Sequence, residues 1–183
     1  MKIICISGKA GSGKDTVAGI MEKRLEEQGK RVLVTHNADL LKYICISFFG
    51  WNGEKDEHGR SLLQQVGTGA VRSRNPDYWV DFLIDMFAMF GDNWDYVLIP
   101  DCRFPNEIDK LIKTGFDTTS VLVMRPDLHS SLTAEQRSHE SETSMDSFSF
   151  DIGILNDSTL EDLKNKVEDV LSRITQGDVA YGN

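Results

Sequence analysis

The feature that most limits what this chain can fold into is a glycine-rich turn between a short apolar run and a helical pattern. Residues 3–6 read Ile-Ile-Cys-Ile, a run of the kind that forms a strand buried on both faces. Gly8-Lys9-Ala10-Gly11-Ser12-Gly13-Lys14-Asp15-Thr16 follows at once. Residues 15–28 then place Val17, Ile20, Met21 and Leu25 on one helical face, with Gly29 as the C-terminal cap. A strand that enters a helix through such a loop aims backbone N–H groups and the helix's positive end at one point, and that point attracts an anion. The glycines let the backbone curl close to it.

The rest of the pattern is an alternation of strands and helices. Further strands are predicted over 31–35, 96–99, 120–124 and 148–155, the last with Phe148, Phe150, Ile152 and Ile154 alternating. Pro105 opens a helix that Gly115 closes. The final helix carries Leu160, Leu163, Val167, Val170, Leu171 and Ile174 on one face, with Ser158 and Glu161 as a capping box. The tail after Gln176 is expected to fray. This order implies an α/β fold with a five-stranded parallel sheet and right-handed crossovers. Two connections exceed a minimal crossover. Residues 36–93 hold helical patterns near 39–49, 61–72 and 77–90 and read as a helical insert. Residues 126–147 are polar, rich in Ser and Glu, and read as a lid. The expected organisation is one domain over 1–183, with a core of 1–35, 94–125 and 148–175.

Composition narrows the function classes. The chain has 183 residues and a net charge of −9, a balance that argues against a protein that coats nucleic acid or lies on a membrane. Cys5, Cys45 and Cys102 form no CxxC pair, so no disulfide framework or zinc ribbon is expected, and a reducing cytoplasm is the default. No apolar run approaches the ~20 residues of a membrane span. The apolar run at 3–6 is too short for the core of a signal peptide.

The loop is the P-loop pattern with Asp15 where Ser or Thr normally ligates Mg²⁺, and with Thr16 one place later, the spacing found in nucleoside monophosphate kinases. Gly8, Gly11, Ser12 and Gly13 would cradle a phosphate chain, and Lys14 would neutralise its outer phosphates. Val97-Leu98-Ile99-Pro100-Asp101 is similar to a Walker B strand, so Asp101 either holds Mg²⁺ or its water or forms a turn after Pro100. Arg72, Arg103, Arg125 and Arg137 sit where a kinase would clamp phosphates bidentately, whereas Arg74 reads as a surface residue. Tyr78 and Trp79 can stack on a base, but their helical spacing with Phe82, Leu83 and Met86 favours core. Residues 86–90 read as a core stripe. His139-Glu140-Ser141-Glu142 lacks a second His at helical spacing and suits lid hydrogen bonding better than zinc. Asn156-Asp157 is a helix cap, an adenine-loop contact, or both.

Nearly the whole chain, from Met1 to about residue 175, resembles the phage-type deoxynucleoside monophosphate kinases. Gly13-Lys14-Asp15-Thr16-Val17-Ala18, Ala38-Asp39-Leu40-Leu41-Lys42, the segment from Gly59 to Thr68, Arg72 and the segment from Asn75 to Asp81 carry this resemblance. So do Asp101-Cys102-Arg103-Phe104-Pro105-Asn106-Glu107, His139 to Glu142 and Asn156-Asp157. Leu40 departs from the family, whose members often have Pro there. The resemblance implies a three-layer α/β/α P-loop NTPase core, a monophosphate-binding insert and a closing lid. It implies transfer of the ATP γ-phosphoryl group to a deoxynucleoside 5′-monophosphate, with Mg²⁺ near Asp15 and Asp101. Lys14, Arg72, Asp101, Arg103 and Arg137 are then the catalytic set, and Arg125 and Asn156 join the loop in binding ATP. Asp39, Lys42, Arg72, Tyr78, Trp79, Arg103, Glu107, His139 and Glu142 fall to the acceptor. Partners are then small molecules, ATP and a deoxynucleotide, with no nucleic acid or membrane; a homodimer stays open. The location is cytoplasmic, in the host if the origin is a phage. Two rival readings share the loop: a kinase of another small phosphorylated acceptor, and a nucleotide-dependent switch.

Overall fold

Strand β1 (Lys2–Ser7) shows why the sheet takes helices on both faces: successive side chains alternate, and both sets are apolar. The computed structural model describes residues 1–126 and 132–177. Beyond β1 it has β2 (Val32–Val34), β3 (Tyr96–Ile99), β4 (Asp117–Met124) and β5 (Ile152–Leu155). The five strands form one parallel sheet in the order β2-β3-β1-β4-β5. Ile4 and Ile6 face a core built with α1 (Lys14–Glu27) and α8 (Leu160–Gln176). Ile3 and Cys5 face the other core, built with α4 (Tyr78–Phe90) and α5 (Pro105–Lys113). The expected three-layer α/β/α architecture is therefore present. All three cysteines are buried and free.

The connection from β2 to β3 holds α2 (Asp39–Phe49), α3 (Glu57–Gln64), a π-helical segment (Gln65–Arg72) and α4. The expected helix over 61–72 is thus two segments that start earlier and change winding. Leu41, Cys45, Trp51, Val66 and Trp79 make a small core of their own. Helix α4 serves both bodies: Trp79 enters that small core, while Val80, Leu83 and Phe87 pack on the sheet. The stripe at 86–90 is core only in part, because Met89 and Phe90 are exposed.

Three further expectations are corrected. The fifth strand begins at Ile152, since Phe148 and Phe150 pack edge-to-face before the chain joins the β4 ladder. The box that caps α8 is Thr159 with Asp162, one residue later than expected, and it leaves Leu160 exposed. The stretch read as a structureless lid carries α6 (Ala134–Ser138), capped by Thr133, and α7 (Glu140–Thr143), capped by His139. Residues 127–131 of that stretch, and the tail from 178, lie outside the described residues.

Candidate active site

The loop between β1 and α1 has the geometry its glycines require. Gly8, Gly11 and Gly13 have φ of 146°, 82° and 102°, which side-chain-bearing residues rarely adopt. A Cβ on Gly8 would stand 2.3 Å from the carbonyl oxygen of Val123 in β4, so the loop lies directly against the sheet. Asn156 clasps it from the far side. Its N–H donates to Met124 O at 2.7 Å and its Nδ2 donates to Ser12 O at 2.9 Å. Asn156 is therefore a brace for the loop, while Thr159 does the capping. Lys14 Nζ donates to Gly8 O at 2.8 Å and Lys9 O at 3.0 Å, which closes the loop into a ring. Burial, reinforced by the nearby Arg103 charge, pushes its pKa down to about 8. Ser12 Oγ is buried without a hydrogen-bond partner, and an incoming phosphate oxygen would supply one.

Two carboxylates stand beside the loop. Asp15 is exposed in the first turn of α1, its Oδ1 3.6 Å from His36 Nε2. Asp101, just past β3, accepts from the N–H groups of Asn37 at 2.8 Å and Ala38 at 3.0 Å. It thereby ties the end of β3 to the start of the insert. Both carboxylates line a cavity of about 290 Å³ with Lys14, Arg72 and Arg103. Among the described residues no three His, Cys, Asp or Glu side chains gather into a metal site of their own. One or two carboxylates beside a phosphate cradle still suit Mg²⁺, which takes much of its coordination from phosphate and water.

Arg72 and Arg103 meet at one residue. Glu107, at the start of α5, is 2% exposed. It accepts from Arg72 Nη2 at 2.6 Å and from the N–H groups of Arg103 at 2.7 Å and Phe104 at 3.1 Å. Burial pushes its pKa up to about 7, while Arg72 and the two N–H groups pull the other way. Arg72 also donates to Pro76 O at 2.8 Å and lies over the Phe104 ring, 3.8 Å from its centroid. The side chain of Arg103 reaches the lid, where it donates to Ser141 O at 3.1 Å and pairs with Glu142. Glu142 also accepts from the Ala10 N–H at 3.1 Å, so it touches the phosphate loop itself. Lys9 pairs with Asp146 and bonds Glu142 O, a second tie between loop and lid. Arg125 and Arg137 line a second cavity, of about 610 Å³, on the lid side of the loop. Arg137 donates to Leu132 O, and Arg125 reaches Gly11 O at 3.5 Å.

Not every expected acceptor residue reaches the first cavity. Lys42 and Trp79 line it. Asp39 does not; it pairs with Lys42 at 2.8 Å and accepts from the His36 N–H at 2.8 Å. Burial pushes the Asp39 carboxyl up, yet these partners hold it below its usual range. Trp79 is buried and donates to Gly67 O at 3.2 Å, whereas Tyr78 sits edge-on to it, exposed and away from the cavity. The outward side of α4 points Tyr78 to solvent. His139 also lies off the cavity, because its Nδ1 accepts from the Ser141 N–H at 3.2 Å as the cap of α7. Glu107 lines the cavity but is almost wholly engaged by protein donors. Arg74 is exposed, as expected, and donates to Ala70 O. The lining residues that were missed include Asn37, Arg60, Gln64 and Thr68. The last three recur every four residues, a polar stripe along one helical face that the sequence does display. Asn37 had no such signal.

Comparison with known proteins agrees with this geometry. A family model described as deoxynucleotide monophosphate kinase matches residues 34–167. The deoxynucleotide monophosphate kinase of Enterobacteria phage T4 is 32% identical over 114 residues, 61% of this chain. The chain spans 44% of that enzyme's length. Uncharacterized protein ORF77 of Ictalurid herpesvirus 1 (strain Auburn) is 30% identical over 169 residues, covering 92% of this chain and 69% of that protein. Among solved structures, shikimate kinase from Aquifex aeolicus superposes with a TM-score of 0.53 at 16% identity, covering 98% of this chain and 99% of that one. The Mycobacterium tuberculosis APS kinase CysC in complex with AMPPNP and APS does so with 0.50 at 15%, covering 93% and 97%. At such identities the structures show a shared kinase fold. The family match takes in the insert, the Asp101–Glu107 segment and the lid, well over half of the molecule, and on that ground the chain belongs to the deoxynucleotide monophosphate kinase family.

Proposed function

We propose that this kinase transfers the γ-phosphoryl group of ATP to the 5′-phosphate of a deoxynucleoside monophosphate, giving ADP and a deoxynucleoside diphosphate. The observation that carries this reading is the cavity shared by the phosphate loop and the insert, lined by Lys14, Arg72 and Arg103 together. ATP lays its phosphates on the loop of residues 8–14, against backbone N–H groups, Lys14 and the unpartnered Ser12 Oγ. Asp101 and Asp15 would hold Mg²⁺ beside the loop, where it would supply positive charge to the phosphates. The acceptor's phosphate oxygen is already ionised at neutral pH, so the reaction needs no strong general base. That oxygen bonds to the γ-phosphorus as the bond from it to the β-bridging oxygen breaks, and the electron pair leaves with ADP. Arg72 and Arg103 hold the acceptor phosphate and offset charge on the transferring group. Closure of the lid excludes water, the competing acceptor. Arg60, Gln64 and Thr68 line the same cavity and are candidates for contact with the base or sugar. The substrates are small and free, and the site of action is the cytoplasm, that of the host if the origin is a phage.

The test is ADP release from ATP and Mg²⁺ with each of the four deoxynucleoside monophosphates, their ribose counterparts, and no acceptor. Acceptor-dependent release with one or more deoxynucleotides is expected. Equal slow release with every acceptor and with none would overturn the reading and turn attention to other phosphorylated acceptors.

A further inference from the structure

The acceptor site proposed above needs two arginines from different parts of the chain in one fixed arrangement. Arg72 ends the π-helical segment of the insert, and Arg103 lies in the loop after β3. Long charged side chains sample many rotamers, and holding two of them costs conformational entropy. Glu107 joins them. Its Oε1 accepts from Arg72 Nη2 at 2.6 Å, and its Oε2 accepts from the N–H groups of Arg103 at 2.7 Å and Phe104 at 3.1 Å. The Phe104 ring fixes the plane of the Arg72 guanidinium, 3.8 Å above it, and the carboxylate fixes its rotation within that plane. The guanidinium has five N–H groups, more than the partners Glu107, Pro76 and Asn106 take up, so it can bond a substrate while held. Glu107 itself, 2% exposed, has its oxygens turned to protein donors.

We propose that Glu107 is the positioning residue of the acceptor site, a single carboxylate that sets Arg72 and the backbone of Arg103 against the incoming monophosphate. This rests on the reading that Arg72 and Arg103 hold the acceptor. A glutamine at this position has one acceptor oxygen for donors on two sides. It serves either Arg72 or the two backbone N–H groups, and its NH₂ faces donors at the other end. The neutral, nearly isosteric change therefore loosens one arginine while filling the same volume.

The experiment is steady-state kinetics of the full chain, with ATP and a deoxynucleoside monophosphate that the wild type accepts. Glu107→Gln should raise KM for the monophosphate roughly tenfold or more, the range expected for losing a hydrogen bond to a charged group. KM for ATP should stay unchanged. Arg72→Lys should raise the same acceptor constant, and in the double variant the two effects should combine to less than their product. Should Glu107→Gln fail to fold, Glu107→Asp, which keeps the charge but withdraws it by one methylene, is measured in its place. A role as structural glue predicts otherwise: kcat falls with the folded fraction seen by circular dichroism, and both KM values hold. That result, or effects that multiply fully, would overturn the proposal. A wild type that turns over no deoxynucleotide would overturn the proposed function, and this inference with it.

Discussion

Lys14 shows how one side chain can both close the loop and face the cavity beside it. Its ammonium ties Gly8 O and Lys9 O together and, from a buried position, faces the cavity shared with Asp101 and Arg103. Lys14→Ala removes the charge proposed to meet the phosphates while leaving the hydrophobic cores untouched. Turnover should fall by about 10²-fold or more, the usual loss when a transition-state donor is removed, with the thermal midpoint little changed. Near wild-type turnover would sink the assignment of the phosphate loop. Glu107 makes a prediction about pH. Its folded pKa of about 7 lies above the ordinary 4.5 because of burial, so the unfolded chain releases this proton first. The stability linked to this group is fully present below 4.5 and is lost as pH rises through about 7. Arg72 and Arg103 oppose the shift, and Asp101 adds to it. Urea midpoints at pH 5 and pH 8 should therefore differ more for the wild type than for Glu107→Gln.

At the scale of elements, α8 and the lid helices make separate points. The capping box of α8 uses Thr159, whose Oγ1 accepts from the Asp162 N–H at 3.2 Å, and Asp162 answers toward the Thr159 N–H. Thr159→Ala should cost about 1 kcal/mol in chemical denaturation, and Glu161→Ala much less. The sequence offers Ser158-x-x-Glu161 and Thr159-x-x-Asp162 side by side. The choice falls to the frame that buries Leu163, Val167 and Leu171, and burial of that face is a tertiary matter. In the lid, Glu142 places a carboxylate on the Ala10 N–H and against Arg103, where phosphate oxygens would also bind. On the proposed reading, ATP competes with it for these groups. Glu142→Gln removes that competing charge, so KM for ATP should fall severalfold. An unchanged KM with a reduced kcat would mean that Glu142 keeps its place beside bound ATP.

Over the whole molecule, the candidate site is a meeting of four regions: the phosphate loop, the insert, the stretch from Pro100 to Glu107 and the lid. A ligand that holds them together stabilises the folded state by mass action, about 2.7 kcal/mol at one hundred times its Kd. ATP with Mg²⁺ should raise the thermal midpoint, a deoxynucleoside monophosphate should raise it further, and chelation of Mg²⁺ should remove most of the ATP increment. No shift with ATP in either condition would contradict nucleotide binding at this loop. Among the described residues no helix is long and apolar enough to cross a membrane.

Features that depend on neighbours in the chain were legible in the sequence. The phosphate loop, the strand ending at Asp101, the alternation of strands with helices and the extra length between β2 and β3 all follow from local period and turn chemistry. A glycine's left-handed φ and an apolar run's burial are decided within a few residues, so the sequence fixes them by itself. The neighbours of each charge are another matter. Tyr78 and Trp79 are adjacent in sequence, yet α4 turns one to solvent and the other into the insert's core. His139 carries ligand chemistry, but its place at the start of α7 makes it a cap. Asn37 reaches the cavity only because Asp101, 64 residues away, draws its backbone in. Glu107 reads as one more acidic residue until the sheet brings Arg72 and Arg103 to its two oxygens. Hydrogen bonds between segments far apart in sequence depend on where the packed layers leave each side chain, and that is settled only when the hydrophobic faces of strands and helices close on one another.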